Sequence, residues 1–135
     1  NSIDIQKIDR RNNSYDVVLC NHVLEHVKDD VSAIKELFRI LKSNGMIFIT
    51  VPDPVTFRET NDWGYPDPDN YEHYRIYGRD FIYKLDKIIG SAGQVKAYKV
   101  IDDVTGVKDI VYRILKMWSY MYLWHILLKK ILLPL

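Results

Sequence analysis

The hydrophobic and polar positions between Ser14 and Pro54 predict a strand, a helix and a second strand. Tyr15 to Cys20 is a short run rich in Val and Leu, which is typical of a strand buried on both faces of a parallel sheet. Met46 to Val51 is a second such run, and Pro52 stops it. Because the connections are short, we expect a right-handed parallel crossover.

Between these strands, the apolar residues recur at helical spacing. The apolar stripe consists of Val31, Ile34, Leu37, Phe38 and Leu41. We expect Asp29 or Asp30 to cap the start of the helix, and Asn44 with Gly45 to close its end.

Polar residues follow each predicted strand: Asn21 and His22 the first, Pro52 and Asp53 the second. In parallel α/β sheets, ligands bind beyond the carboxyl ends of the strands. The pattern therefore predicts a site at this edge.

The segment Pro52 to Tyr77 is long for a connection and rich in aromatic residues. Loops of this length are usually lids or binding loops, although the aromatic residues would equally seal the loop to the body. A helix is predicted to start near Arg79 or Asp80 and to end within Gly90 to Gly93. Val95 to Ile101 then predicts a strand near a sheet edge.

Val107 to Leu133 predicts an amphipathic helix. Its longest stretch without Lys, Arg, Asp or Glu is Met117 to Leu128, 12 residues, against the roughly 20 that span a bilayer. Three interpretations stay open: a helix on a membrane surface, an oligomer contact, or a helix covering the sheet. We divide the chain into an α/β domain, residues 1–106, and a helical tail, residues 107–135.

Charge and cysteine content limit the class of protein. The 135 residues carry a net charge of +1, with −3 over residues 1–106 and +4 over residues 107–135. The body therefore has no charge signature of a nucleic-acid binder. The single cysteine, Cys20, excludes an internal disulfide framework and favours a reducing, cytoplasmic location, with membrane association through the tail left open.

The runs YDVVLCNHVLEHV, FRILKSNG and MIFITVPDP resemble class I S-adenosylmethionine-dependent methyltransferases of the Rossmann-like type. The resemblance covers roughly residues 3–100. The first strand of that family, its Gly-rich cofactor loop and the acidic residue that holds the ribose are not among these residues. Because the pattern begins inside a strand, we expect the chain to be the carboxyl-terminal portion of a longer protein.

The resemblance implies S-adenosylmethionine as cofactor and a set of residues that contact it. Asp4, at the expected end of a strand, would accept a hydrogen bond from the adenine amino group, and the backbone of Ile5 would meet a ring nitrogen. Asn21 and His22 would lie near the methionyl and ribose side. His73, in the segment EHYRIYGRDF, is the candidate general base, because a hydroxyl or amine acceptor must lose a proton; His73 and Arg75 would equally anchor the loop.

The spacing of His22, Glu25 and His26 also matches the inverted zinc-protease motif. That motif requires both histidines on one helical face, whereas here it follows a strand directly. We therefore assign no metal ligand from the sequence, although a weak metal role for this turn stays open.

The leading hypothesis is a methyltransferase acting on a small-molecule or lipid-linked acceptor, inactive or weak as this fragment alone. The second is a non-catalytic remnant that forms homo-oligomers or meets a membrane, through its tail and the bare edge of the first predicted strand. The third is a zinc hydrolase. No nucleic-acid partner is expected.

Overall fold

The computed structural model describes residues 3–101, 103–104 and 106–118. They form an α/β fold with one four-stranded sheet, one two-stranded sheet and two α-helices. The strands are β1 Tyr15–Asn21, β2 Leu41–Thr50, β3 Asn61–Asp67, β4 His73–Ile76, β5 Gly93–Ile101 and β6 Lys108–Lys116, and the helices are α1 Asp30–Ile40 and α2 Phe81–Ile89.

The larger sheet has the order β1-β2-β6-β5. Strands β1 and β2 are parallel, which confirms the predicted crossover through α1. Strand β6 is antiparallel to both of its neighbours, β2 and β5. The sheet is therefore mixed rather than parallel throughout.

Strand β6 corrects the prediction of a helix over residues 107–133. Residues 108–116 form a central strand of the sheet, so they belong to the sheet and not to a helical tail. Tyr112 and Ile114 are buried against the helix-bearing face, while Arg113 lies over the ring of Tyr98 on the opposite face. Most residues of β6 are buried or half-buried, and its apolar run resembles that of a buried helix. Residues 119–135, the rest of the predicted helix, lie outside the described residues.

Helix α1 begins as predicted and ends earlier. The carboxylate of Asp29 accepts hydrogen bonds from the backbone N–H and the hydroxyl of Ser32, at 2.9 and 2.6 Å. The helix ends at Ile40 instead of reaching Asn44 and Gly45, which lie within β2. The side chain of Lys116, from β6, donates to the carbonyls of Phe38 and Leu41 at 3.0 and 2.7 Å. A cation from a distant strand thus satisfies carbonyl groups that the sequence assigns to a glycine cap.

The predicted long loop contains the hairpin β3–β4, which forms a sheet of its own. Its base is closed by a hydrogen bond from the N–H of Arg79 to the carbonyl of Phe57 and by the carboxylate of Asp80 bound to Thr60. Gly78 makes this closure possible, because a Cβ there would lie 2.5 to 2.8 Å from the backbone of Glu59.

The core lies between the two α-helices and the sheet. Its centre consists of the fully buried Ile34, Leu41, Ile47, Ile49, Phe81, Leu85 and Ile114. Helix α2 and strand β5 confirm their predictions, with Gly90 at the end of the helix and β5 at the sheet edge. Among the described residues, no helix has the length and apolar content needed to cross a membrane.

Strand β1 forms the opposite edge of the described sheet. Val17 and Leu19 are 49% and 68% exposed. An apolar edge strand of this kind offers unpaired backbone groups beside an apolar surface.

Candidate functional site

A cavity of about 310 Å³ lies at the edge of the sheet where β1, β2 and β5 end and β6 begins. Its lining residues are His22, Asp53, Pro54, Val55, Lys99, Val107, Lys108, Asp109 and Ile110. This is the edge that the sequence predicts for a ligand, and His22 and Asp53 follow the two parallel strands directly. The cavity size suits a small molecule.

The turn after β1 fixes His22 at the cavity. The backbone of His22 is left-handed, with φ of 51°, and its N–H donates to the carbonyl of Thr50 at 3.0 Å. The side-chain oxygen of Asn21 accepts a 3.5 Å hydrogen bond from the hydroxyl of Thr50. The imidazole of His22, 54% exposed, therefore stands at the mouth of the site on a backbone tied to the next strand.

Glu25 is the unusual group of this turn. It lies in a single 3-10 turn, Leu24–His26, and only 1% of it is exposed. Neither carboxylate oxygen has a hydrogen-bond partner among the described residues, although His22 Nδ1 lies 3.9 Å from Oε1. Burial, with Glu25 nearby as a smaller cause, raises the pKa of the Cys20 thiol to about 12.

Two histidines meet at this carboxylate. The rings of His26 and His73 contact edge to face with centroids 4.5 Å apart. One ligand atom from each of Glu25, His26 and His73 lies within 4.8 Å of the others. Burial lowers the pKa of His73, and His26 lowers it further while Glu25 opposes the shift. The imidazole of His73 is therefore neutral at pH 7, with a free nitrogen lone pair.

Arg75 brings the hairpin to this turn. Its side chain is 2% exposed and donates to the carbonyls of Leu24, Val27 and Lys28. Its Nε also donates to the carboxylate of Asp62 at 2.6 Å. Because Arg75 follows His73 by two residues in β4, these bonds hold His73 against the turn. The contacts of Arg75 are those of the loop anchor that the sequence suggests.

A second buried carboxylate lies five residues after Glu25. Asp30 is 4% exposed, accepts a 2.7 Å hydrogen bond from the hydroxyl of Tyr77 and pairs with Lys84. Arg75 Nε lies 3.7 Å from the same oxygen. Burial and the negative charge of Asp30 raise the pKa of Tyr77, so the phenol remains a hydrogen-bond donor.

Asp4 and Ile5 lie at a different cavity. Residues 3–5 form no strand but lead into a turn, in which the carboxylate of Asp4 accepts from the N–H of Gln6 at 2.9 Å. Short-range hydrogen bonding of Asp to the backbone competes with strand pairing, which explains this departure from the prediction. Both residues line a cavity of about 610 Å³ together with part of β1, whereas His22 lines the edge cavity.

The turn lacks the geometry of the inverted zinc-protease motif. His22 precedes the 3-10 turn instead of sharing a helical face with His26. His22, His26 and His73 are each recognisable as candidates in the sequence. The contact of His26 with His73, which depends on Arg75, and the burial of Glu25 have no signal in the sequence.

The comparisons with known proteins agree with this architecture. Residues 2–87 match a family described as methyltransferase domain. The ubiquinone biosynthesis O-methyltransferase of Nitrosomonas europaea is 32% identical over 91 residues, which cover 63% of this chain and 33% of that protein. The chain thus spans about a third of the length of this relative.

Solved structures share the fold at low identity. The 1,6-didemethyltoxoflavin-N1-methyltransferase of Burkholderia thailandensis, solved with 1,6-didemethyltoxoflavin and S-adenosylhomocysteine, matches with a TM-score of 0.60 and 15% identity, over 84% of this chain and 48% of that one. The [4+2]-cyclase SpnF matches with a TM-score of 0.60 and 10% identity, over 87% of this chain and 55% of that one. The fold is that of the Rossmann-like class I enzymes, and the match over residues 2–87 shows that the chain belongs to the methyltransferase-domain family.

Proposed function

We propose that the protein transfers a methyl group from S-adenosylmethionine to a small-molecule acceptor bound at the edge cavity. The observation that carries the proposal is the position of this cavity, at the carboxyl ends of β1 and β2 and directly beside His22. Membership of the methyltransferase-domain family supports the reaction class. The complex of the toxoflavin enzyme with S-adenosylhomocysteine supports the cofactor.

When bound, the cofactor supplies an electrophilic methyl carbon, whose bond to sulfur breaks as its bond to the acceptor forms. The residues of this chain have three tasks around that step: to orient the acceptor, to exclude water and to accept a proton. At about 310 Å³, the edge cavity has room for a small acceptor. Asp4 and Ile5, at their separate cavity, and Asn21 beside Thr50 remain our proposed cofactor contacts.

The contacts of the histidines bear on which one accepts the proton. His73, the general base predicted from the sequence, packs against His26 and is not among the residues lining the edge cavity. His22 lines the cavity and carries a half-exposed imidazole. We therefore propose His22 as the general base, with His73 as the competing assignment.

The acceptor is proposed to carry a hydroxyl group. The name of the Nitrosomonas relative, an O-methyltransferase of ubiquinone biosynthesis, supports an oxygen acceptor. Two lysines, Lys99 and Lys108, and two aspartates, Asp53 and Asp109, line the cavity together with apolar residues such as Val55. This lining suits a molecule with an apolar body and polar substituents.

The test is methyl transfer from tritiated S-adenosylmethionine by the native protein to a panel of hydroxylated aromatic acids and their neutral analogues. We expect transfer to at least one of these hydroxylated compounds, with turnover about 100-fold lower in His22→Asn and nearly unchanged in His73→Asn. Transfer to no member of the panel would overturn the hydroxyl acceptor. A large loss in His73→Asn alone would return the base role to His73.

For these 135 residues alone, we expect weak binding of S-adenosylhomocysteine or none, because the Gly-rich loop of the family is not among them. Calorimetric titration checks this, with Asp4→Ala as the control. Micromolar binding that the control abolishes would show a complete cofactor crevice in these 135 residues.

A second candidate function is self-association, favoured by the exposed apolar edge of β1. We expect sedimentation velocity to show a concentration-dependent dimer that Val17→Lys disrupts, since a charge on an edge strand opposes pairing. A monomer at all concentrations would exclude this function.

A further inference from the structure

We propose that Glu25, His26 and His73 form a binding site for a divalent transition-metal ion, with Zn²⁺ as its best match. One ligand atom from each side chain already lies within 4.8 Å of the others. The proposal rests on these side chains alone and does not depend on methyl transfer.

The first support is the state of Glu25. Its side chain is buried, and both carboxylate oxygens lack a hydrogen bond among the described residues. Burial of an ionised carboxylate without a partner is costly, and buried charges in proteins are normally paired or bound to a metal. A cation between Glu25 and the two imidazoles would satisfy this group.

The second support is the ligand set. Two imidazole nitrogens and one carboxylate oxygen suit Zn²⁺ and its first-row neighbours, whereas Ca²⁺ and Mg²⁺ favour sites built from oxygen ligands. Ligand atoms in a tetrahedral zinc site lie about 3.3 Å apart, given bonds of about 2 Å. The three atoms therefore need to approach one another by roughly 1.5 Å at most.

The third support is access and anchoring. His26 is exposed and His73 is half-buried, so the cluster joins the buried carboxylate to the protein surface. The ligands come from the turn after β1 and from β4, the two elements that Arg75 already joins. With three protein ligands, the fourth position remains for water.

The ligand set differs from the spacing motif in the sequence. His22 lies on the strand side of Glu25, and its Nδ1 is 3.9 Å from Oε1. It is not a member of the three-residue cluster. The proposal therefore predicts that His73 is required and that His22 is dispensable, whereas the H-x-x-E-H motif requires His22 as a ligand.

The experiment uses the untagged chain, stripped of metal with a chelator and titrated with Zn²⁺ against a chromophoric competitor. We expect one equivalent to bind with micromolar or tighter affinity. We expect His73→Asn and Glu25→Gln each to weaken binding at least tenfold. His22→Asn is the matched control and is expected to bind like the wild type.

Two further measurements keep the proposal testable if a variant folds poorly. Co²⁺ should give visible d–d absorption of tetrahedral intensity that His73→Asn abolishes, and Zn²⁺ should raise the melting temperature of the wild type by about 5 °C but not that of His73→Asn. Circular dichroism verifies folding of each variant. Absence of binding to the wild type, or equal binding by folded His73→Asn, would overturn the site.

Discussion

The carboxylates of Glu25 and Asp30 are similarly buried but differ in their polar partners. Asp30 is 4% exposed and has a phenol, an ammonium and a guanidinium around it. Glu25 is 1% exposed, and its two oxygens have no hydrogen bond among the described residues. Asp30, which joins α1 to the hairpin and to α2, is therefore surrounded by polar partners. Glu25, which lies near His26 and His73, has no hydrogen bond among the described residues. This difference separates a structural ion network from a candidate binding site.

The largest expected loss of stability comes from removing the guanidinium of Arg75, which lies beside Asp30. Arg75→Met should destabilise the fold by about 4 kcal/mol, because it removes a donor from three carbonyls and from the Asp62 carboxylate, and removes a positive charge beside the buried Asp30. Urea unfolding followed by circular dichroism measures the change. The exposed Arg79→Met, which loses one bond to the carbonyl of Val55, should cost less than about 1 kcal/mol. Equal costs for the two variants would contradict the anchoring role.

Asp30→Asn should destabilise by about 2 kcal/mol, since Lys84 and Arg75 lose their shared counter-charge. The hydroxyl of Tyr77 retains an acceptor in the amide, which keeps the cost below that of Arg75→Met. The same unfolding measurement applies, with the exposed Asp86→Asn as control. A stabilised variant would place Asp30 in the same class as Glu25.

Glu25→Gln should stabilise the fold, whereas Asp30→Asn destabilises it. In metal-free buffer, we expect about 1 kcal/mol of added stability, because a neutral amide replaces a buried carboxyl group whose oxygens have no hydrogen bond among the described residues. Unfolding with and without Zn²⁺ then sharpens the comparison: the wild type should gain stability from the ion and the variant should not. A loss of stability without metal would mean that Glu25 has a structural partner after all.

The smallest effect concerns a third carboxylate, Glu36, which is partly exposed. Hydrogen bonds from Arg39, and a further one from the N–H of Ile8, lower its pKa to about 2 against the opposing effect of burial. A lowered folded-state pKa stabilises the fold above the ordinary pKa of about 4.5, and this stabilisation is lost as the pH falls towards 2. Glu36→Gln should therefore flatten the decline of unfolding free energy between pH 5 and 2, measured by urea unfolding of the variant and the wild type. An equally steep decline in the variant would contradict this role of Glu36.

The sequence was sufficient for the units whose signals are local. β1, the start of α1 at Asp29, the bounds of α2 and the position of His22 after a strand all follow from periodicity and capping residues within a few positions. Strand β6 did not follow, because its apolar run satisfies a helical pattern equally well and only its place between β2 and β5 decides the matter.

The candidate site was predictable in its parts and not in its assembly. His26 and His73 are 47 residues apart, and their contact depends on Arg75 reaching the carbonyls behind the turn. No local sequence pattern predicts these long-range contacts of Arg75. The burial of Glu25 likewise depends on the hairpin lying over the turn, so the sequence alone gave no sign of an unsatisfied charge.

The place of β6 in the sheet also bears on how the chain folds during its synthesis. One edge of β2 pairs with β1, which precedes it in the chain. The other edge pairs with β6, whose first residue follows the last residue of β2 by 58 positions. At about 5 to 20 residues per second, translation takes roughly 3 to 12 s to supply that partner. During this interval the nascent chain holds an open apolar strand, and the cation of Lys116 that closes α1 is among the last parts of the described fold to arrive.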